Sequence, residues 1–419
     1  MLLTSILSLP LVYFIAKRTL NKEFALVSMF FIVISPWHII LSRWGLPENI
    51  LPFVFLLGYA CLLKSEINNY WFIPASLFFA LSLYAYGTAY VVLPIFLAVA
   101  LPVLLRSKRV SPGKLMIGLL VLAAVALPIV LFFLINTFRL DSIHLGPVTI
   151  PRLPSDPRYE DVKTFFSDSP YMAPVWNMLF MLYILITQTD GLLQNTIEPY
   201  GYFYAITLPL AIIGIAMLIR QYRLNKKPEF VFLLTWLTAS FILGVLYPIN
   251  INRINLIFIP LLLCMAIPIA WLGERMKIVQ VTAIIALLIG FFFFTRDYHG
   301  DEYRSQIGRS FFTGILPALD SIHDKGDHPV CITDTINMPD IYVLVSEKLN
   351  PADYLKDIEF IDPPEASFRR IRSLGRYTFG LENCRNDLDT IYILKEEKPG
   401  NPNISYKVTQ FNDYKVYLP

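Results

Sequence analysis

Long apolar runs separated by short polar breaks fill residues 1–296, and the pattern changes to mixed polar and apolar positions from 297 to 419. A helix needs about 20 apolar residues to cross the hydrocarbon of a bilayer. On that length the pattern predicts about ten transmembrane helices, over 1–17, 23–42, 50–64, 70–86, 88–106, 114–137, 199–220, 229–248, 254–273 and 278–296. Prolines such as Pro36, Pro74, Pro209 and Pro260 fall inside these runs. They are compatible with helix in a bundle, where neighbours re-satisfy the freed carbonyls. The remainder, 297–419, reads as a soluble α/β domain. Strand patterns lie over 328–333, 358–361, 390–394 and 406–417, and helix-like patterns over 339–349 and 365–374. The fold class is therefore an all-α polytopic membrane bundle followed by a C-terminal soluble α/β domain.

Charge gives the bundle a direction. Fourteen Lys and Arg residues (Lys17, Arg18, Lys22, Lys64, Arg106, Lys108, Arg109, Lys114, Arg220, Arg223, Lys226, Lys227, Arg275 and Lys277) occupy one set of alternate loops, and the other short loops hold only Arg43 and Arg253. The basic set is cytoplasmic by the positive-inside rule. The 297–419 domain then lies outside, and the chain belongs in the cell (plasma) membrane as a multi-pass protein. Two features strain this scheme. The apolar segment 175–188 is only fourteen residues long, and letting it cross would carry the Arg220–Lys227 loop outside. It is expected as an interfacial or re-entrant helix within one long external loop, 138–198. The first span also ends at Lys17 and Arg18 on the inside, so Met1 begins outside with no signal sequence before it. That is the arrangement expected of a chain whose first helix and outer loop are missing upstream.

Composition adds little to this. Hydrophobic residues are 55% and charged residues 16% of 419, against about 25% charge in soluble chains, and mean hydropathy is +0.54. A net charge of +3 gives no case for nucleic acid as a partner. The four cysteines show no metal-ligand spacing; Cys61 and Cys264 fall in apolar runs, while Cys331 and Cys384 share the soluble domain, where a disulfide between them is one reading.

Candidate chemistry gathers in the external loops. Arg43 and Glu48 are loop-end charges beside Trp37, His38 and Trp44; they read either as solvated charges or as a pocket for a phosphate and a sugar. A guanidinium meets phosphate oxygens as a fork. The turn at Gly87 carries Tyr84, Tyr86 and Tyr90, which suit an interfacial aromatic belt equally well. The long loop is Pro-rich over 147–157, acidic at Glu160, Asp161 and Asp168, and ends in Asp190, Asn195, Tyr200 and Tyr202. Arg253 is the lone arginine of the run Asn250–Asn255, and it reads as a lipid snorkel or a phosphate ligand.

The run from Ile34 to Asn49 resembles the second half of the first external loop in GT-C superfamily glycosyltransferases, in the protein-mannosyltransferase-like (family thirty-nine) and aminoarabinose-transferase-like group. The turn Tyr84–Tyr90, the segment 190–204 and the run Asn252-Arg253-Ile254-Asn255 to Pro260 resemble later blocks of the same group, in order across 1–296. The resemblance implies transfer of a sugar from a polyprenyl-phosphate donor to a lipid, glycan or protein acceptor at the outer membrane face. It implies Arg43 and Arg253 on the donor phosphate, and His38, Trp44, Tyr86, Asn195, Tyr200 and Tyr202 around the substrate. The group's catalytic aspartate lies in the first half of that loop, before this chain's Met1. Glu48 is then the available carboxylate, with room for a divalent metal, and residues 1–419 alone are expected to transfer little sugar. The competing class is a non-catalytic membrane protein, a degenerate paralogue or transport-like bundle. Transporters bury ionisable groups at mid-membrane and repeat internally, whereas here the polar groups gather at the outer face.

Overall fold

The computed structural model describes residues 1–153, 172–363, 369–385, 387–399 and 404–419. These fall in two compact units, one from Met1 to Arg152 and on to Tyr298, the other over His299 to Pro419. The expected acidic stretch with Glu160, Asp161 and Asp168 lies outside the described residues.

The first unit is helical: α1 (Leu2–Thr19), α2 (Lys22–Ile34), α3 (Pro36–Ser42), α4 (Leu51–Ser65), α5 (Phe72–Ala85), α6 (Ala89–Arg106), α7 (Pro112–Thr137), α8 (Met172–Thr187), α9 (Leu208–Asn225), α10 (Pro228–Leu246), α11 (Phe258–Arg275) and α12 (Lys277–Tyr298), with a short hairpin of β1 (Ile143–Leu145) and β2 (Val148–Ile150). Among the described residues eight helices are long and apolar enough to cross a membrane, or nine if the bent pair α2–α3 counts as one span. These match nine of the ten expected spans. The segment at 70–86 begins as a 3-10 turn, Asn69–Trp71, and its helix α5 has only 14 residues.

The run 23–42 is not one straight helix. Proline lacks an N–H and crowds the residue before it out of the helical region. Ser35 is accordingly extended (φ −65°, ψ 121°), the two halves meet at 56°, and the Ser35 side chain caps α3 by accepting from His38 N. The break turns Trp37 and His38 away from the α2 line.

Helix α11 is the centre of the bundle, buried at every residue from Phe258 to Ala270. It packs on α9 at Gly214, where an added Cβ would stand 1.8 Å from the Cys264 carbonyl oxygen. A second core layer joins Phe55, Tyr59, Phe79, Phe96 and Trp236, with ring centroids 4.9–6.0 Å apart. At the periphery α7 and α12 leave large apolar side chains such as Leu120 and Phe292 exposed, as a lipid-facing surface requires.

One end of the bundle is basic. There Arg18 pairs with Glu66 at 3.1 Å, and Arg109 holds both Glu66 and Glu229, the latter at 3.2 Å. Lys64 lies over the Trp71 ring at 4.3 Å, and Lys114 over Tyr70 at 3.6 Å. Burial and the neighbouring Glu229 carboxylate push the Glu66 carboxyl up to about 7, against the pull of Arg109. Helix α8 sits at the opposite end. Asn177 reaches the Val245 carbonyl (3.4 Å), Met181 packs on Gly244, and the Leu185 carbonyl accepts from Tyr202 Oη (2.9 Å). Both halves of α8 thus touch the end that holds the close of α10 and the loop before α9.

The second unit contains α13 (Asp301–Ser310), α14 (Ile315–Asp320), α15 (Pro339–Ser346) and α16 (Pro351–Asp357) with β3 (Val330–Ile332), β4 (Ile358–Phe360), β5 (Ile371–Leu374), β6 (Tyr377–Phe379), β7 (Ile391–Leu394), β8 (Lys407–Phe411) and β9 (Tyr414–Leu418). These strands form one mixed sheet, ordered β4-β5-β6-β3-β7-β9-β8, in which β3 is parallel to β6 and β7. Its core joins Ile315, Leu319, Ile332, Val343, Phe379 and Ile393. The helix expected over 365–374 is not formed at its end: Ile371–Leu374 is β5. Gly375, at φ +57°, opens a two-residue turn that pairs Leu374 with Tyr377, and hairpin closure overrides the local helical pattern. Cys331 and Cys384 are disulfide-bonded.

Glu347 anchors this domain by accepting from Arg376 Nη2 at 2.9 Å and from Tyr377 Oη. Burial pushes its carboxyl up, but the bonds from Tyr377 and Arg376 and the charges of Arg376 and His323 outweigh this and hold it below the usual carboxylate range. A depressed carboxylate contributes stability above its unfolded pKa and loses it as pH falls through the folded value. Glu347→Gln is therefore expected to destabilise the domain at pH 7 by about 1–3 kcal/mol. Proteolysis-monitored unfolding should show that deficit fading below about pH 4.5, the ordinary Glu range.

Candidate active site

The end of the bundle opposite the basic loops holds every expected site residue. The loop after α3 is tied down first. Asn49 Nδ2 donates to the carbonyls of Leu41 (3.2 Å) and Trp44 (3.0 Å). Asn255, fully buried, then joins three segments: its Oδ1 accepts from Trp37 Nε1 (3.0 Å), and its Nδ2 donates to Asn49 Oδ1 (3.0 Å) and the Glu48 carbonyl (3.2 Å). This network fixes the backbone of the 3-10 turn Pro47–Asn49, which carries Glu48.

The Tyr86 phenol feels the charges of both Glu48 and Arg253. Arg253 is hydrogen-bonded to the Tyr86 phenol and donates from Nη1 to the Pro248 carbonyl at 2.6 Å. Burial and the Glu48 charge push the Tyr86 phenol up, against the pull of Arg253. The loop carrying Arg253 is set by Asn250 Oδ1, which accepts from Arg253 N (2.9 Å), and by Asp190 Oδ2, which accepts from Ile251 N (2.9 Å) and Asn195 Nδ2 (2.7 Å).

The other expected residues divide in two. Arg43 lies over the Tyr298 ring, 5.2 Å from its centroid, and hydrogen-bonds the phenol. Tyr200 Oη donates to Asp297 Oδ2 at 2.5 Å; burial, this bond and the carboxylate's charge push the phenol up to about 12. Asn195 and Tyr202 are framework. Tyr202 is buried, its ring 4.8 Å from Phe258, and its carbonyl accepts from Trp37 N (3.1 Å) and Ser35 Oγ (3.2 Å). Gly201, at φ +64°, makes that turn, and an added Cβ would stand 2.5 Å from Gln188 Cβ. Trp44 is half-buried beside the Asn49 clamp. His38 lines a cavity between α1, α3, α4 and α11.

Sequence reasoning gave no role to Asp297 or Tyr298, although a charged pair closing the last apolar run, Arg296-Asp297, marked that helix end. Among the described residues no group of three or more His, Cys, Asp or Glu is arranged to hold a metal ion.

No protein-family model and no curated protein matches the sequence. Among solved structures, the fold is similar to that of ArnT from Cupriavidus metallidurans bound to undecaprenyl phosphate, with a TM-score of 0.56 at 12% identity over 99% of this chain and 82% of that one. The apo state of the same protein gives a TM-score of 0.53 at 11% identity over the same shares. The chain therefore has an ArnT-like fold, a multi-helix membrane bundle with a C-terminal sheet domain.

Proposed function

We propose that the chain is a membrane glycosyltransferase that moves a sugar from a polyprenyl-phosphate donor to an acceptor hydroxyl at the outer face of the cell membrane. The observation that carries this reading is that Glu48 and Arg253 both act on the Tyr86 phenol, at the same end of the bundle as Arg43. In an ArnT-like fold, whose solved relative is bound to undecaprenyl phosphate, a carboxylate and a guanidinium facing one phenol, with a second guanidinium at the same end of the bundle, suit one reaction. The cations hold the phosphate and stabilise its charge as the anomeric C–O bond breaks. The Glu48 carboxylate takes the acceptor's proton as the new C–O bond forms on the opposite face.

The sidedness rests on the basic loops at one end and this site at the other. The disulfide of the second unit agrees with an external, oxidising compartment. Loss of one charge-assisted phosphate contact costs about 2 kcal/mol, or tens-fold in rate. Arg43→Ala and Arg253→Ala are each expected to slow transfer from a polyprenyl-phosphate donor by that factor, in membranes assayed for transferred label. Normal transfer by both variants would place the phosphate elsewhere.

A further inference from the structure

Arg43 closes helix α3 with an exposed side chain, and among the described residues no carboxylate stands within ion-pair distance of it. The arginines at the basic end differ: Arg18 and Arg109 both pair with Glu66, and Arg109 also with Glu229. The carboxylate beside Tyr298 in the chain, Asp297, is engaged elsewhere. Its Oδ1 accepts from Arg296 Nε (2.7 Å) and its Oδ2 from Tyr200 Oη (2.5 Å).

What holds Arg43 is a neutral phenol. The guanidinium carbon lies 5.2 Å from the centroid of the Tyr298 ring, and the group hydrogen-bonds the Tyr298 hydroxyl. Tyr298 is itself fastened. Its ring stacks on Phe294, one helical turn back, with centroids 5.5 Å and planes 15° apart. Phe294 is fully buried, and Tyr200 meets it edge-on at 5.7 Å. The last turn of α12 therefore carries the phenol on a fixed base, which the Tyr200–Asp297 bond ties to the loop before α9. Arg253 has a similar setting between the Tyr86 phenol and the Pro248 carbonyl.

A long exposed side chain loses rotamer freedom when it grips a ligand, and that loss weakens binding. A carboxylate partner would order the arginine beforehand but cancel the charge a phosphate needs. A phenol orders it and leaves the charge. The guanidinium carries several N–H donors, so a bond to the phenol still leaves others for phosphate oxygens. Resting on the donor reading above, we propose that Tyr298 is a positioning residue, which presents the Arg43 guanidinium with its charge uncancelled to the donor phosphate.

The test is a double-mutant cycle on the full chain in nanodiscs, titrated with polyprenyl phosphate and with the uncharged polyprenol of equal length. Tyr298→Leu removes ring and hydroxyl, and is expected to weaken binding of the phosphate about three- to tenfold, the cost of ordering one long side chain. Tyr298→Phe keeps the stack on Phe294 and removes only the hydroxyl, so it should show part of that loss. Neither variant should change the affinity for polyprenol, and neither should weaken the phosphate further once Arg43 is Ala. That last result is one a merely structural role would not give. An equal loss with and without Arg43, an equal loss for both lipids, or unchanged phosphate affinity in both Tyr298 variants overturns the role of Tyr298 alone. A phosphate preference that survives intact in Arg43→Ala removes Arg43 from the phosphate, and the role of Tyr298 with it. A wild type that binds the two lipids equally overturns the donor reading itself.

Discussion

Glu48→Gln is expected to lower sugar transfer by about 10²–10⁴-fold, the usual loss when a positioned base is removed. The amide keeps the size of the side chain, and the Asn255 bond to the Glu48 carbonyl is to the backbone, so the turn Pro47–Asn49 should survive. Donor affinity should hold or improve slightly, because the variant removes a negative charge near Tyr86 and Arg253. A loss in turnover with donor binding intact separates a proton acceptor from a residue that merely shapes the loop. Undiminished turnover in the variant would take the role from Glu48.

Opening the Cys331–Cys384 bridge should cost the second unit about 4 kcal/mol, the chain-entropy figure for a loop closed across 53 residues. That is a large part of the roughly 5–15 kcal/mol that holds a domain together. The bridge joins β3, in the middle of the sheet, to the segment that follows β6, so the reduced chain regains freedom around the central strands. A Cys331→Ser, Cys384→Ser double variant of the full chain, followed by proteolysis in increasing urea, should lose its sheet domain at much lower denaturant. Transition midpoints that coincide with and without reductant would contradict this.

The helices were legible because apolar length is a local property of the sequence. Their interruptions were less so. Pro36 was visible, but its consequence depends on Ser35 finding the Tyr202 carbonyl 167 positions away, which makes the broken backbone affordable. The strand β5 was hidden because Gly375 decides it from outside the segment. At the site, Arg43, Glu48, Tyr86 and Arg253 announced themselves as polar residues at the ends of apolar runs. The frame beneath them could not be read: Asn255 joins Trp37 and Asn49 across 218 and 206 positions, and nothing local distinguishes it from Asn250 or Asn252.

The central claim is that the end of the bundle bearing Arg43 and Arg253 binds a lipid-linked phosphate. The most direct test compares polyprenyl phosphate with the uncharged polyprenol of equal length, titrated against the full chain in nanodiscs. The account predicts at least tens-fold tighter binding of the phosphate, with the difference removed in the Arg43→Ala, Arg253→Ala double variant. Equal affinity for the two lipids, or a phosphate preference unchanged in the double variant, would contradict it.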